Sequence, residues 1–146
     1  MSQPHVTVRA ADQDDFDHIE TLLAANDLPS GDVRDSPGQF FVAEAGEVIG
    51  VGGVEIYGSA GLVRSVAVAE PHRGEGHGAA LCARVEAHAR GKGVETLSLL
   101  TTTAAEFFRR RGYEEVARDL APDAIRKTTE FADLCPSSAT YMRKRL

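Results

Sequence analysis

The sequence predicts a single α/β domain whose elements follow one another in the order β–α–β–β–β–α–β–α–β–α–β. Three observations support this fold class: short apolar or alternating runs typical of strands, apolar faces at helical spacing between them, and a glycine-rich loop halfway along the chain. A chain of 146 residues can bury one sizeable core and is too short to divide into two domains. We therefore expect residues 1–146 to form one domain.

The first half of the chain predicts one helix between strands, followed by an antiparallel meander. Asp12 can cap the helix, and Phe16 and Ile19 then begin its apolar face. A tight turn at Gly46-Glu47 joins two extended runs, and a Gly-Ser-Ala-Gly turn leads into a third. The predicted elements are a strand over residues 5–9, a helix over 13–26, a polar loop over 27–38, and strands over 39–45, 48–57 and 62–69.

The second half predicts three helices that glycine or proline delimits. Gly91 and Gly93 end the first helix, Gly112 ends the second, and Pro122 begins the third. The predicted elements are a helix over residues 77–90, a strand over 94–100, a short helix ending at 111, a strand over 113–118, a helix over 122–129 and a last strand over 139–144.

The glycine-rich loop connects an apolar strand that ends in Val66-Ala67-Val68 with an alanine-rich helix. Glycines in such a loop leave backbone N–H groups exposed in a concave turn at the positive end of the helix dipole, where an anion can approach them. Arg73 adds a positive charge and a bidentate donor. The loop has neither the Lys-Ser or Lys-Thr of a P-loop nor the spacing of a dinucleotide fingerprint. We therefore predict that it binds a pyrophosphate.

The sequence of this loop contains Arg-x-x-Gly-x-Gly directly after Val-Ala-Val. The motif resembles the coenzyme A motif of the GNAT (GCN5-related) N-acetyltransferases, and the order of elements is similar to that family along nearly the whole chain. The resemblance implies a mixed, mostly antiparallel sheet of six to seven strands, flanked by helices and splayed at the cofactor strand. It also implies that acetyl-CoA is the cofactor and that acetyl passes directly to an amine, without a covalent enzyme intermediate. The residues expected to contact coenzyme A are Val66, Ala67, Val68, Arg73, Gly74, Glu75, Gly76, His77, Gly78, Ala79 and Phe107.

A second motif, residues 104–113, resembles the GNAT pattern Ala-x-x-Phe-Tyr-x-x-x-Gly-Phe near the pantetheine sulfur. In many family members its Tyr protonates the departing coenzyme A thiolate. Here Phe108 is at that position, and a phenyl ring cannot donate a proton. Either another group protonates the thiolate, with Tyr141, Tyr113 or the threonines at 101–103 within reach, or no proton donor is needed. The second alternative is open because a thiol with a pKa of about 8.5 gives a thiolate that leaves tolerably without assistance.

The resemblance and the strand pattern together nominate groups for the acetyl transfer. The N–H of Val68 matches the position that polarises the thioester carbonyl. Glu55, near the end of a strand expected to face the cleft, is the predicted base for the amine proton, with Glu44 as a weaker alternative. Cys82 lies inside the helix after the loop and is a poor nucleophile candidate.

Arg64 lies in an apolar strand two residues before the segment expected to bind pantetheine, and a buried arginine needs an anionic partner. It could pair with Glu55 on the neighbouring strand, or it could hold a substrate carboxylate, which would mean an amino-acid-like acceptor. Ser65 is expected to point to the opposite face, because strand side chains alternate. Leu28, in a loop that resembles the roof of the acceptor pocket in this family, and Thr101 are also expected to contact the acceptor.

Residues 121–138 resemble a segment of the small GNAT proteins associated with arsenic-resistance operons, and residues 62–68 and 99–103 are similar to that subgroup as well. This resemblance implies that the small-molecule amine acceptor is a free α-amino acid or an arsenic-containing analogue of one. Bacterial acetyltransferases that act on glutamate are close in pattern. The alternatives are an acyl-CoA-binding sensor without activity and an acetyltransferase for peptides or proteins.

Composition and charge limit the remaining functions. A formal net charge of −6 argues against nucleic acid as the main ligand. Since no apolar run approaches the length of a membrane span and the N-terminus lacks a signal-peptide pattern, we expect a cytoplasmic protein without a membrane partner. Cys82 and Cys135 lack metal-ligand spacing and are interpreted as buried thiols, so no metal site is expected. A homodimer would be compatible with such a sheet, although no residue requires one.

Overall fold

The sheet of this protein carries helices on both faces, and its strands follow the chain order except at one edge. The structure is a computed structural model and describes residues 6–26, 28, 33–35, 38–72, 74, 76–102, 104–128 and 139–146. Within these residues the strands are β1 (Thr7–Ala10), β2 (Gln39–Glu44), β3 (Val48–Tyr57), β4 (Ala60–Val68), β5 (Thr96–Thr101), β6 (Glu114–Glu115) and β7 (Thr140–Arg145). The helices are α1 (Phe16–Ala25), α2 (His77–Gly91), α3 (Ala105–Arg109) and α4 (Asp123–Arg126). The strand order is β1-β2-β3-β4-β5-β7-β6.

The sheet is split between β4 and β5. Neighbouring strands are antiparallel except for this pair, which is parallel and is joined only where residues 60–62 meet residues 96–98. Because β4 continues to Val68 and β5 to Thr101, the two strands diverge beyond Leu62 and Ser98. The prediction of a mixed, mostly antiparallel sheet that is splayed at the strand before the loop is confirmed.

A β-bulge bends β4 at the start of the split. Gly53 lies opposite Arg64 and Val51 opposite Ala67, so two residues of β4 face one residue of β3. Ser65 is the bulged residue and has a φ of 59°, a left-handed conformation that no other non-glycine residue of the described chain adopts. The expected alternation fails here. Arg64 Nε donates a hydrogen bond to Ser65 Oγ at 3.0 Å, so the two side chains meet instead of pointing to opposite faces.

Helices α1 and α2 cover opposite faces of the sheet because the side chains of β2 alternate. The cluster under α2 includes Phe41, Ala43, Leu81, Cys82 and Val85. The cluster under α1 includes Phe40, Val42, Ile19 and Leu23. Each leucine or isoleucine buried here contributes about 1.5–3 kcal/mol to the free energy of unfolding. These two cores hold β3 and β4, the strands on which the site is built.

Most predicted elements are confirmed to within a residue or two, and the predicted cap is confirmed because the Asp12 side chain accepts from the N–H of Asp14. Two predictions are too long. The predicted strand over 113–118 is reduced to β6, since the chain turns into a 3-10 helix at Arg118–Leu120. The predicted helix over 122–129 is reduced to α4, after which the Thr128 hydroxyl donates to the carbonyl of Ile125. No helix in the described residues is long and apolar enough to cross a bilayer.

Candidate active site

A cavity of about 920 Å³ occupies the split between β4 and β5. Its wall on one side is β4, and its wall on the other is the end of β5 with α3. The lining residues of β4 are Val63, Arg64, Ser65, Val66, Ala67 and Val68, those of β5 and the segment after it include Leu99, Thr101, Phe107, Phe108 and Arg111, and Ala25, Asn26, Leu28 and Ala139 also contribute. An extended molecule can therefore lie along β4, in the place that a neighbouring strand would take.

The loop between β4 and α2 forms one end of this cavity. Gly74 and Gly76 have φ values of 82° and 87°, and a Cβ placed on either would meet nothing within 4 Å, so the loop is open on the cavity side. Helix α2 begins at His77 and directs its positive end at the same place. A Cβ on Gly78 would lie 3.1 Å from Phe107 Cζ, so glycine is needed for close contact with α3. Binding of an anion by the loop stays a prediction, which these features support.

Two members of the predicted anion-binding set lie outside the described residues, namely Arg73 and Glu75. The remaining loop residues of that set, Gly74, Gly76, His77, Gly78 and Ala79, all line the cavity. His72, which the sequence did not nominate, lines it as well, and its ring centroid lies 6.3 Å from that of His77.

Arg64 and Glu55 form a buried ion pair between β3 and β4. Arg64 Nη1 lies 3.1 Å from Glu55 Oε2, and the two side chains are 1% and 5% exposed. The other carboxylate oxygen, Oε1, accepts a hydrogen bond of 2.6 Å from Tyr57 Oη. The guanidinium also lies over the ring of Phe40, with Cζ 5.9 Å from its centroid. Of the two partners that the sequence offered Arg64, the structure contains the cross-strand carboxylate.

Only one member of this pair borders the cavity. Arg64 lines it, whereas Glu55 is not among the lining residues. The role of Glu55 as general base stays a prediction, and both of its carboxylate oxygens already accept hydrogen bonds. Glu44, the weaker alternative, is on β2 and pairs with Arg9 on β1, at 3.1 Å.

Phe108, which stands where many family members have a tyrosine, makes apolar contacts. Phe108 is buried and packs edge-on against Phe107 and Tyr113, at centroid distances of 5.1 and 5.6 Å. Tyr113 points away from the cavity: its hydroxyl donates to Glu86 at 3.3 Å, and burial raises its pKa above the ordinary value. Tyr141 is buried and hydrogen-bonded to Ser98 at 2.8 Å. Neither tyrosine lines the cavity.

Among the other proton donors considered, Thr101 and Thr102 line the cavity and Thr103 lies outside the described residues. Thr101 Oγ1 accepts a hydrogen bond from the N–H of Ala104 at 2.9 Å and so caps the turn into α3. Cys82 does not line the cavity; burial raises the pKa of its thiol to about 12, and Cys135 lies outside the described residues. In the described residues no group of three or more His, Cys, Asp or Glu side chains could hold a metal ion.

The structure brings most of the predicted site together in one cavity: Leu28, Arg64, Val66, Ala67, Val68, Gly74, Gly76, His77, Gly78, Ala79, Thr101 and Phe107. Sequence reasoning gave no role to Arg111, which also lines this cavity. The available signal was its position in the second motif, at the end of three consecutive arginines before Gly112. Three arginines in a row suggest a solvated surface, and only the fold separates the third from the other two.

Comparison with known protein families identifies the domain. Residues 36–115 match the model of the acetyltransferase (GNAT) domain. Among curated proteins, the amino-acid acetyltransferase of Ectopseudomonas mendocina is 42% identical over 64 residues, or 44% of this chain and 15% of that protein. The amino-acid acetyltransferase of Pseudomonas syringae is 41% identical over the same shares of the two chains. The match thus spans about a seventh of the length of these curated relatives.

Two solved structures are similar over nearly the whole chain. N-acetylglutamate synthase from Neisseria gonorrhoeae, complexed with coenzyme A and L-arginine, has a TM-score of 0.83 at 24% identity. The match covers 99% of this chain and 34% of the synthase chain. Rv2747 from Mycobacterium tuberculosis, in complex with CoA, has a TM-score of 0.81 at 25% identity and covers 96% of this chain and 99% of its own. Both structures share the fold of this chain. In the second, the similarity extends over nearly the full length of both chains.

Proposed function

This chain belongs to the acetyltransferase (GNAT) domain family, and on that premise we propose that it transfers an acetyl group from acetyl-CoA to the amine of a small molecule. The acceptor is an amino acid or an amino-acid-like compound. One observation carries the proposal: a single cavity joins the glycine loop at one end to a buried arginine, Arg64, at the other, along the stretch of β4 beyond its pairing with β5.

The described residues fit coenzyme A. The loop at Gly74 and Gly76 suits a pyrophosphate, because a Cβ added at either glycine would meet no described atom within 4 Å, which leaves room beside the backbone. The stretch of β4 over residues 66–68 suits the pantetheine amides, which can hydrogen-bond to it as a strand does. Phe107 and Gly78, which pack against each other, would form the cavity wall beside the pantetheine.

Acetyl-CoA supplies the thioester carbonyl that the amine attacks; a C–N bond forms, the C–S bond breaks, and the amine loses one proton. The residues of the chain position the two reactants and polarise the thioester carbonyl. The backbone N–H of Val68 is proposed to donate to the carbonyl oxygen, where negative charge develops. Phe108 cannot donate a proton, and no described tyrosine lines the cavity. The thiolate therefore leaves without protonation, or the hydroxyl of Thr101 or Thr102 donates a proton to it.

Arg64 is proposed to hold the carboxylate of the acceptor. Arg64 lines the cavity, and the contacts of its guanidinium with Glu55 and Ser65 fix its orientation before a substrate enters. Glu55 is thereby in contact with the guanidinium rather than with the cavity. These contacts support a positioning role for Glu55 more directly than proton transfer, although the predicted base role requires its own test.

The acceptor class follows from two resemblances. The curated relatives named above are amino-acid acetyltransferases, which supports an α-amino acid. The similarity of residues 121–138 to the arsenic-resistance subgroup supports an amino-acid-like organoarsenical as a more specific acceptor. Most of that segment, residues 129–138, lies outside the described chain.

The deciding experiment measures thiol release from acetyl-CoA with mass detection of the acetylated product. The acceptor panel contains acidic and neutral amino acids, amino-acid-like arsenicals and phosphinates, polyamines and peptides. We expect one amino-acid-like acceptor to be acetylated and the polyamines to be inert. Tight binding of acetyl-CoA without turnover of any acceptor would favour the sensor, which the phenylalanine at position 108 also favours. Acetylation of peptides alone would favour a protein substrate.

A further inference from the structure

Arg111 is an arginine for which the described residues provide no acidic partner. It follows α3, lines the cavity, and lies with Cζ 4.8 Å from the ring centroid of Phe107. Its Nε is buried and has no hydrogen-bond partner among the described residues. A buried guanidinium donor without an acceptor is unfavourable, and native structures seldom leave one so.

Several other arginines of the described residues have carboxylate partners, whereas Arg84 lies over the ring of Phe41 as Arg111 lies over that of Phe107. Arg9 pairs with Asp15 at 2.8 Å, Arg34 pairs with Glu20 at 3.0 Å, and Arg64 pairs with Glu55 at 3.1 Å. The chain has 22 acidic residues and only 16 basic ones, so carboxylates are not scarce. A carboxylate on the adjacent face of α2, that of Glu86, is already held by Lys144 and Tyr113. None of the described carboxylates pairs with Arg111, and a bound anion would fit the position beside it.

Arg111 lies on the same wall as the glycine loop. Its guanidinium stacks on Phe107, and the far edge of that ring packs against Gly78, where an added Cβ would lie 3.1 Å from Cζ. Gly78, Phe107 and Arg111 are therefore successive layers of one wall. Arg64, the other described arginine that lines the cavity, is on β4. The ligand group that reaches Arg111 is consequently the part bound near the loop.

We propose that Arg111 is a phosphate-binding residue of the coenzyme A site, supplied by the turn after α3 and independent of the glycine loop. The inference rests on the proposed use of acetyl-CoA. The phosphate is either the pyrophosphate or the 3′-phosphate of the adenosine ribose. A planar guanidinium beside an aromatic ring presents its N–H groups in a fork that matches phosphate oxygens, which an ammonium group cannot reproduce.

The test is calorimetric binding of three ligands, coenzyme A, 3′-dephospho-coenzyme A and pantetheine, to the wild type and to Arg111→Gln and Arg111→Lys. The matched control is Arg110→Gln, which removes the same charge from an exposed neighbour that does not line the cavity. We expect Arg111→Gln to weaken coenzyme A binding about tenfold or more, because a charge-assisted hydrogen bond is lost. Arg111→Lys should recover part of the affinity and Arg110→Gln should change it little.

The three ligands identify the phosphate. A loss with coenzyme A that is absent with the dephospho form assigns the 3′-phosphate, and an equal loss with both that spares pantetheine assigns the pyrophosphate. Unchanged affinity for coenzyme A, or an equal loss with pantetheine, would overturn the inference while leaving the proposed function standing. A wild type that binds none of the three would overturn both. If Arg111→Gln does not fold, the affinities of Arg111→Lys for the three ligands are compared with those of the wild type instead. This variant retains the apolar stem and the charge.

Discussion

Arg64 Nη1 on β4 donates to Glu55 Oε2 on β3 across 3.1 Å, and hardly any of either side chain is exposed to solvent. The pair exists because the two strands are antiparallel and because the bulge at Ser65 turns a second hydrogen-bond partner toward the same guanidinium. We propose that a substrate carboxylate at the cavity wall meets an arginine whose orientation is already fixed. The ion pair thus connects the core of the sheet with the proposed acceptor site.

The first prediction concerns the stability that this pair contributes. Arg64→Met leaves the Glu55 carboxylate buried with Tyr57 as a neutral partner, and we expect the free energy of unfolding to fall by about 3–5 kcal/mol. The double variant Glu55→Gln/Arg64→Met leaves no buried charge and should lose less than the single one. Urea denaturation of the four proteins measures the coupling. Additive losses would mean that the two groups do not depend on each other.

The second prediction separates the two roles of Glu55. If Glu55 positions Arg64, Glu55→Gln should raise the KM for the acceptor about tenfold and leave the pH profile of kcat/KM unchanged, since one charge-assisted contact is lost. Tyr57→Phe removes the contact on the other oxygen and should act in the same direction with a smaller effect. A base would behave differently: kcat would collapse and the acidic limb of the profile would disappear.

The third prediction concerns the bulge. Ser65→Val places a β-branched side chain at a φ of 59° and should lower the free energy of unfolding by about 1–2 kcal/mol or more. Ser65→Gly is the matched control, because glycine adopts this conformation without strain and only the hydrogen bond to Arg64 is lost. Thermal unfolding should rank the valine variant below the glycine variant. The reverse order would argue against the left-handed conformation at this position.

The fourth prediction concerns the thiol of Cys82. Burial raises its pKa to about 12, so at pH 8 a fraction on the order of one in ten thousand is thiolate. In a Cys135→Ser background, Ellman's reagent should leave the native protein unlabelled at pH 8 and should label it fully in urea. Rapid labelling of the folded protein would show that Cys82 is accessible, and the packing of α2 on the sheet would then have to be different.

The fifth prediction concerns acid stability. The Arg9 guanidinium lowers the pKa of Asp15 from 3.8 to about 2, mainly through their hydrogen bonds. Because the folded pKa is the lower one, the stabilisation is fully present above about pH 4 and is lost as the pH falls towards 2. Asp15→Asn should remove this part of the acid dependence of unfolding. Asp14→Asn is the control, since Asp14 is a neighbouring carboxylate for which the structure gives no contact with Arg9, and it should leave the slope unchanged.

The glycine loop and the element order could be predicted because their signals are local. Gly74, Gly76 and the alanine-rich segment after them specify a strand, an open turn and a helix within a short stretch of chain. The substitution of phenylalanine at 108 was also evident from one motif. That neither Tyr113 nor Tyr141 lines the cavity could not be predicted in the same way, because the fold decides where those side chains lie.

The amino-acid sequence by itself determined the fold class and about half of the described residues that line the cavity, since periodicity, capping and glycine placement act between near neighbours. The family resemblance implied the split of the sheet. The tertiary structure decided the partners of the charged groups. Ser65 shifts the register of β4, so Arg64 meets both Ser65 and Glu55, and the fold leaves Arg111 on an aromatic ring without a carboxylate. Charges find partners through space, and their distances are set by strand register and helix packing, which no local pattern encodes.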